Sequence, residues 1–559
     1  MTSRAHIKTK FERGTEMEVT RKTFLTGAAM GVATSCAASL ATGANIANAS
    51  APSPDNSDWL GEPPVVAVEE CKETVEAEVV VVGGALAGEF AAYAAILSGA
   101  DVVMIERNGT GHVGGSGIGF VNSKYQIEAG QPEHDPYEVM QRLNNQTQNR
   151  TSLALLAPFC LHSGQVLDEL EANVLQAAGC PGTATAGSDS GMDVFCPTLN
   201  SHVDFDPTGS DSLETFNFAM TDWIAAHGGR MFFNTCGRVL TQDTDGTVTG
   251  VIATNPDGEY VYYKASKAVI VCTGSYGHNE EMMEHFNSSW VCDFARKYGV
   301  YNGRVTDKTP ITTDEFMDDG TGHKMMVWAG ADMEQADHSF QAWEDAGYYW
   351  WPFLQVTCKG ERFRNEQSSW LSQCNTIVER PERVNYYWQI RSMKDTDMPA
   401  TLPITTLDVW DGVVEAGTEY YDADTIEELA ELIDVDPAVL TATVNRYNEL
   451  CEKGVDEDWG KNPQYLHPVV EPPFRAAKAT CHFYCTSSGV RCNGKLQVCD
   501  KDWQPIPHLF AAGNNVGWRL GCGYQMTVPG MCNAFALFHG YEAGRYAADP
   551  DFTWDQLEA

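Results

Sequence analysis

A continuous apolar run near residue 80 gives the strongest pattern in the chain. Residues 79–82 are four consecutive valines, which predict a strand buried on both faces because no polar face is left for solvent. Glycines follow, residues 89–98 then have the composition of a helix, and residues 101–107 predict a second buried strand. This order predicts a β-α-β unit whose two strands are parallel.

The turn between the first strand and the helix is built from small residues. They are Gly83, Gly84, Ala85, Ala87 and Gly88. Glycines let a backbone approach a pyrophosphate, the helix N-terminus supplies partial positive charge, and an acid such as Glu106, 23 residues after Gly83, binds ribose hydroxyls. We therefore predict a dinucleotide site, although Ala85 replaces the middle glycine of G-x-G-x-x-G. The alternative is a core turn without a ligand.

A region of different composition interrupts this pattern. Residues 211–274 again have an α/β pattern, and Asp245-Gly246 between two apolar segments predicts a β-hairpin. Residues 325–470 are rich in aromatic residues and acidic helical segments. We predict an α/β fold, a Rossmann-like dinucleotide-binding domain with an inserted α+β domain. Its predicted parts are a signal peptide (1–49), a mature leader (50–75), the first domain (76–324 and 471–559) and the inserted domain (325–470).

Residues 1–49 have the features of an export signal. Arg21 and Lys22 precede a mildly apolar stretch, and residues 47–49 form a small-x-small cleavage site. The segment resembles a twin-arginine signal with Lys22 in place of the second arginine; a Sec signal or a retained anchor is the alternative. No other stretch has the length and apolar character of a membrane span. We expect an exported mature protein, in the periplasm or at the outer face of the cell envelope, that does not span the membrane.

The charge balance narrows the range of partners. Of 559 residues, 37 are Lys or Arg and 76 are Asp or Glu, and removing residues 1–49 leaves 31 basic and 73 acidic residues, a net charge of −42. Such a surface repels nucleic acid and anionic membranes, so no nucleic-acid partner is expected. A basic redox protein would instead be attracted.

Sixteen of the 17 cysteines lie in the predicted mature chain. Cys481, Cys485, Cys492 and Cys499 form the one dense group, and their spacings match neither a zinc pattern nor a usual ferredoxin pattern. We predict no metal site; thiols and disulfides remain open, and an iron–sulfur cluster is the less favoured alternative. The chain has no C-x-x-C-H motif, so it carries no c-type haem of its own.

Five segments in this order resemble the fumarate reductase and 3-ketosteroid Δ1-dehydrogenase superfamily of FAD flavoproteins. They span residues 78–547, nearly all of the predicted mature chain. The segments are the β-α-β unit ending at Glu106, residues 269–279 ("ATGG-FG-N"), residues 319–331 ("GDG…AGA"), residues 360–366 ("G-x-RF-x-NE") and residues 510–540 (the C-terminal flavin block). The resemblance implies one non-covalently bound FAD, with the substrate at the junction with the inserted, capping domain.

The resemblance also implies the FAD contacts. The pyrophosphate would lie at Gly83, Ala85 and Gly88, and the ribose at Glu106. Flavin or ribityl contacts would fall at Gly115, Ser116 and Gly117, and backbone contacts near the adenine at Val239, Thr273 and Gly274. The carbonyl edge of the flavin would lie near Asn514, Gly530 and Met531, at the N-terminus of the last helix, whose dipole favours an anionic reduced flavin.

Three departures from fumarate reductases bear on the substrate. Trp370 stands where these enzymes have a proton-donating arginine, and Cys485 lies in the segment that matches the block of their substrate histidine. Their second carboxylate-binding arginine corresponds to Thr527, unless a gapped alignment places Arg519 there. Without these groups a dicarboxylate would carry unpaired charge in a very acidic protein, so fumarate is disfavoured.

A neutral unsaturated carbonyl compound fits the remaining pattern better. Ketosteroid dehydrogenases polarise a carbonyl with a tyrosine hydroxyl and a glycine N–H, and Tyr524 and Gly530 stand in that order, two residues further apart than usual. They would stabilise an enolate, whereas packing of Tyr524 is the alternative. Arg519 could bind a substrate carboxylate, the C2 oxygen of the flavin or a surface acid. Trp370 and residues 348–351 would form either an aromatic wall for the substrate or ordinary core.

We therefore predict an FAD-dependent oxidoreductase that reduces a C=C bond conjugated to a carbonyl, with hydride going from flavin N5 to the β-carbon. Steroid-like lactones are the first predicted substrate class and aromatic enoates the second. Electrons would come from a separate cytochrome-type donor, since no second dinucleotide motif follows the first. A Δ1-type dehydrogenase and a catalytically decayed flavin-binding electron carrier are the alternatives.

Overall fold

The computed structural model describes most of the chain from residue 59 onward. The described residues are 59–111, 118–128, 130, 132–179, 183–184, 202–204, 212–287, 318–335, 338–345, 353–366, 376, 380–382, 384, 386–393, 419–521, 523, 527–528 and 530–557. The predicted signal peptide lies outside them. Among the helices in these ranges, none combines the length and apolarity that crossing a bilayer requires.

The strands follow one another along the chain from residue 73 to residue 511. They are β1 (Glu73–Val82), β2 (Val102–Ile105), β3 (Ile118–Gly119), β4 (Thr183–Ala184), β5 (His202–Asp204), β6 (Arg230–Phe232), β7 (Cys236–Gln242), β8 (Val248–Thr254), β9 (Tyr260–Val271), β10 (Phe340–Asp345), β11 (Leu354–Val356), β12 (Tyr386–Ser392), β13 (Tyr420–Ala423), β14 (Phe474–Thr486), β15 (Gln497–Cys499) and β16 (Pro505–Ala511).

The helices lie singly or in groups between these strands, and the last helix follows β16. They are α1 (Leu86–Leu97), α2 (Lys124–Glu128), α3 (Pro136–Gln146), α4 (Leu153–Leu170), α5 (Gln176–Ala178), α6 (Ser212–Ala226), α7 (Glu280–Phe286), α8 (Thr321–Trp328), α9 (Ile426–Leu432), α10 (Pro437–Lys453) and α11 (Met531–Ala548). A π-helical turn at Glu171–Leu175 joins α4 to α5.

The first sheet has the spatial order β15-β16-β9-β1-β2-β6. Its strands β16, β9, β1, β2 and β6 are parallel, and the hairpin of β7 and β8 extends antiparallel from β9. The four valines at 79–82 are buried, as their run predicts, since helices cover this sheet. Gly246 has φ +87° in the turn of the β7–β8 hairpin, so the hairpin prediction is confirmed. The parallel sheet with its helices confirms the predicted α/β class.

The second sheet is antiparallel, in the order β10-β14-β12-β11, with β13 also paired to β14. Buried apolar residues of α9 and α10, such as Leu429, Leu440 and Tyr447, pack with residues of these strands in one core. Strand β14 therefore belongs to the second sheet, although residues 474–486 lie beyond the sequence-based end of the inserted domain at 470. Helix α8 shares the core of the first sheet. The domain boundaries themselves stay a prediction.

Two glycines allow α11 to pack closely against α1. A Cβ at Gly540 would overlap the carbonyl oxygen of Ala87, and one at Gly544 would overlap that of Ala91. The two contacts are four residues apart on each helix, so a small-residue stripe of α11 faces the helix that starts at the dinucleotide turn. This packing fixes the N-terminus of α11 relative to α1.

Candidate flavin and substrate site

The dinucleotide turn has a backbone that requires glycine at two positions. Gly83 has φ +106°, and a Cβ there would overlap the carbonyl oxygen of Cys272, directly after the neighbouring strand β9. A Cβ at Gly88 would overlap the carbonyl oxygen of Gly83. Ala85 has φ −87° and ψ −172°, an extended conformation that any residue adopts. Its methyl group therefore does not distort the turn, which explains how the middle glycine of the motif can be absent.

Glu106 follows β2 and reaches back to this turn. Its Oε2 accepts the N–H of Gly84 at 2.6 Å, and its Oε1 accepts the N–H of Asn108 at 2.9 Å. Burial raises the pKa of this carboxyl, and the two N–H donors oppose that shift because they stabilise the anion. The acid is thus held beside the turn, where a ribose would meet it.

The N-terminus of α1 has no side-chain cap. Its N-cap residue is Ala85, whose carbonyl accepts the N–H groups of Gly88 and Glu89. The N–H groups of the two residues before them, Leu86 and Ala87, are the ones that an anion could bind. Together with the glycine backbone and Glu106, these donors fit the pyrophosphate and ribose of an FAD. The carbonyl oxygen of Ala87 lies against Gly540 of α11, and its Cβ lies close to Gly513.

A second loop, which begins directly after β9, is hydrogen-bonded to the C-terminal segment. Asn515 is fully buried, and its Oδ1 accepts the N–H of Thr273 at 2.6 Å. Gly274 follows with φ +83°, and the N–H of Ser275 lies 3.4 Å from Oδ1 of Asp318. Thr273 is therefore held by an asparagine that sequence reasoning missed. The only signal for it was its place directly after Asn514.

The remaining predicted FAD contacts lie in the β7–β8 hairpin and in residues 115–117. Val239 is buried in a small cluster with Ile252 and Tyr262 on the strands β7, β8 and β9. Directly before β7, the N–H of Thr235 donates to the carbonyl of Glu106 at 2.8 Å, so the start of this hairpin lies beside the acid. Residues 115–117, which include the predicted contacts Gly115, Ser116 and Gly117, lie outside the described residues. These contacts stay predictions.

Arg519 is the central charged group at the other end of the site. It is completely buried, and its Nη2 donates to Oδ1 of Asn514 and to Sγ of Cys532, the latter at 3.5 Å. Within the described part of the chain, its Nε and Nη1 have no hydrogen-bond partner. A buried cation with unpaired donors is unfavourable unless a ligand accepts them. The geometry therefore favours Arg519 as a ligand-binding group over a surface salt bridge.

The N-terminus of α11 lies beside Arg519. Gly530 is its N-cap residue with φ +70°, and Met531 is buried at the first position of the helix. Cys532 follows in the first turn, and its thiol contacts both Asn514 and Arg519, so these two residues lie beside the start of α11. The predicted partner Tyr524 lies outside the described residues, and so does Trp370.

Cys485 approaches this group from the second sheet. It lies near the end of β14 and is 7% exposed. Interaction with the thiol of Cys532 raises the pKa of Cys485, whereas the pKa of Cys532 is lowered by that interaction and by the charge of Arg519. Cys532 is a second residue that sequence reasoning missed, because a cysteine inside a helical pattern carries no distinguishing signal.

A buried carboxyl also lies within electrostatic reach of Arg519. Glu334 is 1% exposed, and its Oε2 accepts the N–H of Trp518 at 2.9 Å. Burial raises the pKa of Glu334 to about 7, while the charge of Arg519 opposes that shift. The backbone carbonyl of Glu334 lies 2.6 Å from Nε2 of His338, whose Nδ1 lies 2.5 Å from the hydroxyl of Tyr276. A buried hydrogen-bonded chain therefore runs from the backbone carbonyl of Glu334 through His338 to Tyr276.

Thr527, which stands where fumarate reductases have a carboxylate-binding arginine, has a neutral partner. Thr527 is buried, and its hydroxyl hydrogen-bonds with Oε1 of Gln146. No three His, Cys, Asp or Glu side chains are grouped to hold a metal ion in the ranges that the structure describes. Cys492 and Cys499 are buried thiols, and the side chain of Cys481 is outside those ranges.

Comparisons with known proteins agree with this geometry. The family model described as "FAD binding domain" matches residues 78–527. The chain is 28% identical to vinyl phenol reductase of Lactiplantibacillus plantarum over 351 residues, which cover 57% of this chain and 68% of that protein. It is 24% identical to digoxin reductase of Eggerthella lenta over 532 residues, covering 85% and 87% of the two chains.

The fold has a solved counterpart. The structure of 3-ketosteroid-Δ4-(5α)-dehydrogenase from Rhodococcus jostii RHA1 in complex with 4-androstene-3,17-dione matches with a TM-score of 0.66 at 20% identity, covering 85% of this chain and 97% of that one. This likeness confirms the predicted fold, and the family match confirms the predicted FAD and the predicted class of enzyme. The chain belongs to the FAD-binding domain family of flavoprotein oxidoreductases.

Proposed function

We propose that this protein reduces a carbon–carbon double bond conjugated to a carbonyl in a largely neutral substrate. One observation carries the proposal: the buried guanidinium of Arg519 has unpaired N–H donors, within the described part of the chain, beside the N-terminus of α11. Two relatives support the reaction class, since they are named for the reduction of vinyl phenol and of digoxin.

The residues of the site would polarise the substrate rather than supply electrons. When bound, the FAD supplies the hydride. Arg519 and the backbone N–H at Gly530 would donate hydrogen bonds to an oxygen that gains negative charge, either on the substrate carbonyl or on the carbonyl edge of the flavin. Tyr524 is the proposed further donor to the substrate oxygen. Such donors act strongly because the site excludes water around Arg519.

The same environment argues against a dicarboxylate. Thr527 is paired with neutral Gln146, and Glu334 lies close enough to Arg519 to interact with its charge. One cation would therefore have to neutralise two substrate carboxylates beside a protein carboxyl. A neutral enone, a lactone or a compound with a single carboxylate carries less uncompensated charge.

A substrate panel tests this proposal directly. The FAD-loaded protein is reduced with dithionite without oxygen, and reoxidation of the flavin is followed near 450 nm after adding enones, unsaturated lactones, aromatic enoates or fumarate. We expect a member of the first three classes to reoxidise the flavin much faster than buffer, and fumarate to do so slowly. Fumarate as the fastest oxidant would overturn the proposal. Equal rates with every compound would instead support a flavin-binding electron carrier.

We further propose export and a separate, cytochrome-type electron donor. The acidic chain, with a formal net charge of −39, favours encounter with a basic partner. Turnover with reduced viologen but not with NADH is expected, and comparable rates with NADH would argue against a separate donor. Cell fractionation with N-terminal sequencing would show whether residues 1–49 are removed. Faster turnover with an artificial electron acceptor on saturated ketones would point to the dehydrogenase direction.

A further inference from the structure

Helix α6 packs on α1, the helix that starts at the dinucleotide turn. Phe216 of α6 stacks on Phe90 of α1, with ring centroids 5.8 Å apart and an angle of 12° between the rings. Further along the two helices, the rings of Trp223 and Tyr93 meet edge to face at 4.7 Å. Aromatic contacts therefore hold α6 on α1, and polar side chains buried between the same helices need a separate explanation.

A buried carboxyl of α1 meets such polar groups of α6. Glu89 is fully buried, and its Oε1 lies 3.1 Å from Oγ1 of Thr221, which also lies 2.8 Å from the carbonyl oxygen of Asn217. A threonine hydroxyl has one hydrogen, so it can donate to only one of these oxygens at a time. A protonated Glu89 supplies the hydrogen for the other contact. Burial raises the pKa of Glu89 well above its usual range, which agrees with a neutral carboxyl.

Two atoms of this cluster lack a hydrogen-bond partner within the described ranges. They are Oε2 of Glu89 and Nδ2 of Asn217, and Asn217 is only 4% exposed. Buried polar atoms without partners are unfavourable, so their presence indicates a group that binds them. Nδ2 of Asn217 is a donor, and Oε2 of Glu89 is an acceptor when the proton is on Oε1. A donor beside an acceptor matches a hydroxyl group, which offers both.

Both side chains lie beside the dinucleotide turn. A helical side chain covers the turn that precedes its own Cα, so the carboxyl of Glu89 lies over the start of α1. The amide of Asn217 lies at Gly111, where a Cβ would come within 2.6 Å of Nδ2 and within 2.2 Å of the carbonyl oxygen of Gly84. Gly84 also donates its N–H to Glu106. The cluster therefore borders the same turn as the acid predicted to bind the ribose.

We propose that Glu89 and Asn217 bind a sugar hydroxyl of the FAD beside its pyrophosphate, with Oε2 of Glu89 as the acceptor and Nδ2 of Asn217 as the donor. They are positioning residues for the cofactor, and their role does not depend on the substrate. The neutral form of Glu89 is essential to this role, because a carboxylate would repel the pyrophosphate in a site of low dielectric constant.

FAD release tests the proposal without any substrate. The holoenzyme is diluted in steps, the fluorescence of the released flavin gives the Kd for FAD, and urea unfolding of the flavin-free protein gives the stability of the fold. Glu89→Leu and Asn217→Leu should each raise this Kd about tenfold or more, because each removes one hydrogen bond to the ligand. Glu89→Gln should stay within about threefold of the wild type, since its amide also offers one donor and one acceptor.

Glu542→Leu is the matched control. Glu542 of α11 is an equally buried glutamate, and both of its carboxyl oxygens lack a partner in the part of the chain that the structure describes. Its replacement removes the same chemical group at a different place, so the Kd for FAD should stay at the wild-type value.

Competition by ADP identifies the sugar. ADP has the ribose and the pyrophosphate of FAD but not its ribityl chain. If the bound hydroxyl belongs to the ribose, ADP should compete with FAD for the flavin-free protein at least about tenfold more weakly in Glu89→Leu than in the wild type. Equal competition in the two proteins would assign the hydroxyl to the ribityl chain.

The outcomes are independent of the proposed function, since no readout involves a substrate. Weaker FAD binding in Glu89→Leu and Asn217→Leu, with unchanged stability of the flavin-free proteins and near-normal binding in Glu89→Gln, supports the proposal. A wild-type Kd in either leucine variant overturns it. A loss of stability in Glu89→Leu that accompanies the loss of FAD, or an equal loss of FAD in Glu542→Leu, also overturns it. If Glu89→Leu does not fold, Asn217→Leu and Glu89→Gln decide by the same criteria.

Discussion

Replacing Arg519 by methionine tests whether this buried cation serves stability or ligand binding. Methionine keeps much of the side-chain length and removes the charge and all N–H donors. If Arg519 is present for a ligand, the substitution should lower turnover without lowering the stability of the folded protein. If Arg519 is a structural cation, the substitution should lower stability first.

The magnitude follows from the hydrogen bonds of the guanidinium. It has five N–H donors, and in the described part of the chain those of Nη2 have partners, while those of Nε and Nη1 have none. Each buried unsatisfied donor costs about 1–3 kcal/mol. Methionine removes three such costs, about 3–9 kcal/mol, and leaves Asn514 and Cys532 each without one donor, a loss of about 2–6 kcal/mol for the two. The free energy of unfolding should therefore stay constant or rise by a few kcal/mol, as replacement of buried charges often does.

Turnover should respond in the opposite direction. Removing one donor to a developing oxyanion costs about 2.7–4 kcal/mol, or about 10²–10³ in rate. Urea unfolding gives the stability, absorbance near 450 nm gives the FAD content, and oxidation of reduced viologen by an active substrate gives turnover. The matched control is Arg491→Met, because Arg491 is also mostly buried but already paired, with its Nη2 2.9 Å from Oδ2 of Asp332. That variant should lose stability and keep turnover per bound FAD.

The opposite result would refute the reasoning. If Arg519→Met is destabilised more than Arg491→Met while its turnover per bound FAD stays near the wild-type value, Arg519 holds the fold and does not bind the reacting oxygen. The role would then pass to Tyr524 and Gly530.

Three further changes test other parts of the site. Tyr524→Phe should keep FAD content and lower turnover by about 10²–10³, and retention of more than about half of the wild-type rate would assign Tyr524 to packing. Burial raises the pKa of Glu334 to about 7, so the contribution of this carboxyl to stability is present below its unfolded pKa and is lost as the pH rises through 7. Relative to the wild type, Glu334→Gln should therefore gain up to about 3 kcal/mol in the free energy of unfolding between about pH 4.5 and 8. Urea unfolding measures this difference, and equal pH profiles of the two proteins would contradict it. Gly540→Ala should lower both melting temperature and FAD content, because its methyl group would overlap the carbonyl oxygen of Ala87, and an unchanged protein would show that α11 can shift without cost.

The sequence predicted the part of the site that depends on local backbone. Four valines, a glycine turn and Glu106 occur within one β-α-β unit, and their roles follow from positions along a strand and a helix. Gly83 and Gly88 are glycines because the turn requires them, and Ala85 is tolerated because its conformation is extended. Such features are encoded by neighbours in the chain, so a sequence is sufficient to find them.

The contacts around Arg519 could not be found in this way. Arg519 and Cys532 are 13 residues apart, and the guanidinium lies against the thiol only because the loop before α11 folds back on the first turn of that helix. The carboxyl of Glu334 accepts the N–H of Trp518, which is 184 residues away in the chain, and no periodic pattern indicates that these two segments meet. The resemblance pointed to Cys485 and Arg519 but not to Cys532, since a sequence does not show that a thiol of α11 lies beside the guanidinium.

The groups around Arg519 and the residue Cys485 are positioned by different sheets. Arg519, Asn514 and the start of α11 form one hydrogen-bonded group on the first domain, and the close contact of α11 with α1 fixes that group relative to the dinucleotide turn. Cys485 is positioned differently, since β14 is paired with β10, β12 and β13 and its register is therefore set within the second sheet. A substrate between them would be polarised by groups that stay fixed relative to the flavin and be selected by side chains of the second sheet. Under the proposed function, we therefore expect a substitution at Cys485 to change which substrate is accepted and to leave the hydrogen bonds among Arg519, Asn514 and α11 in place.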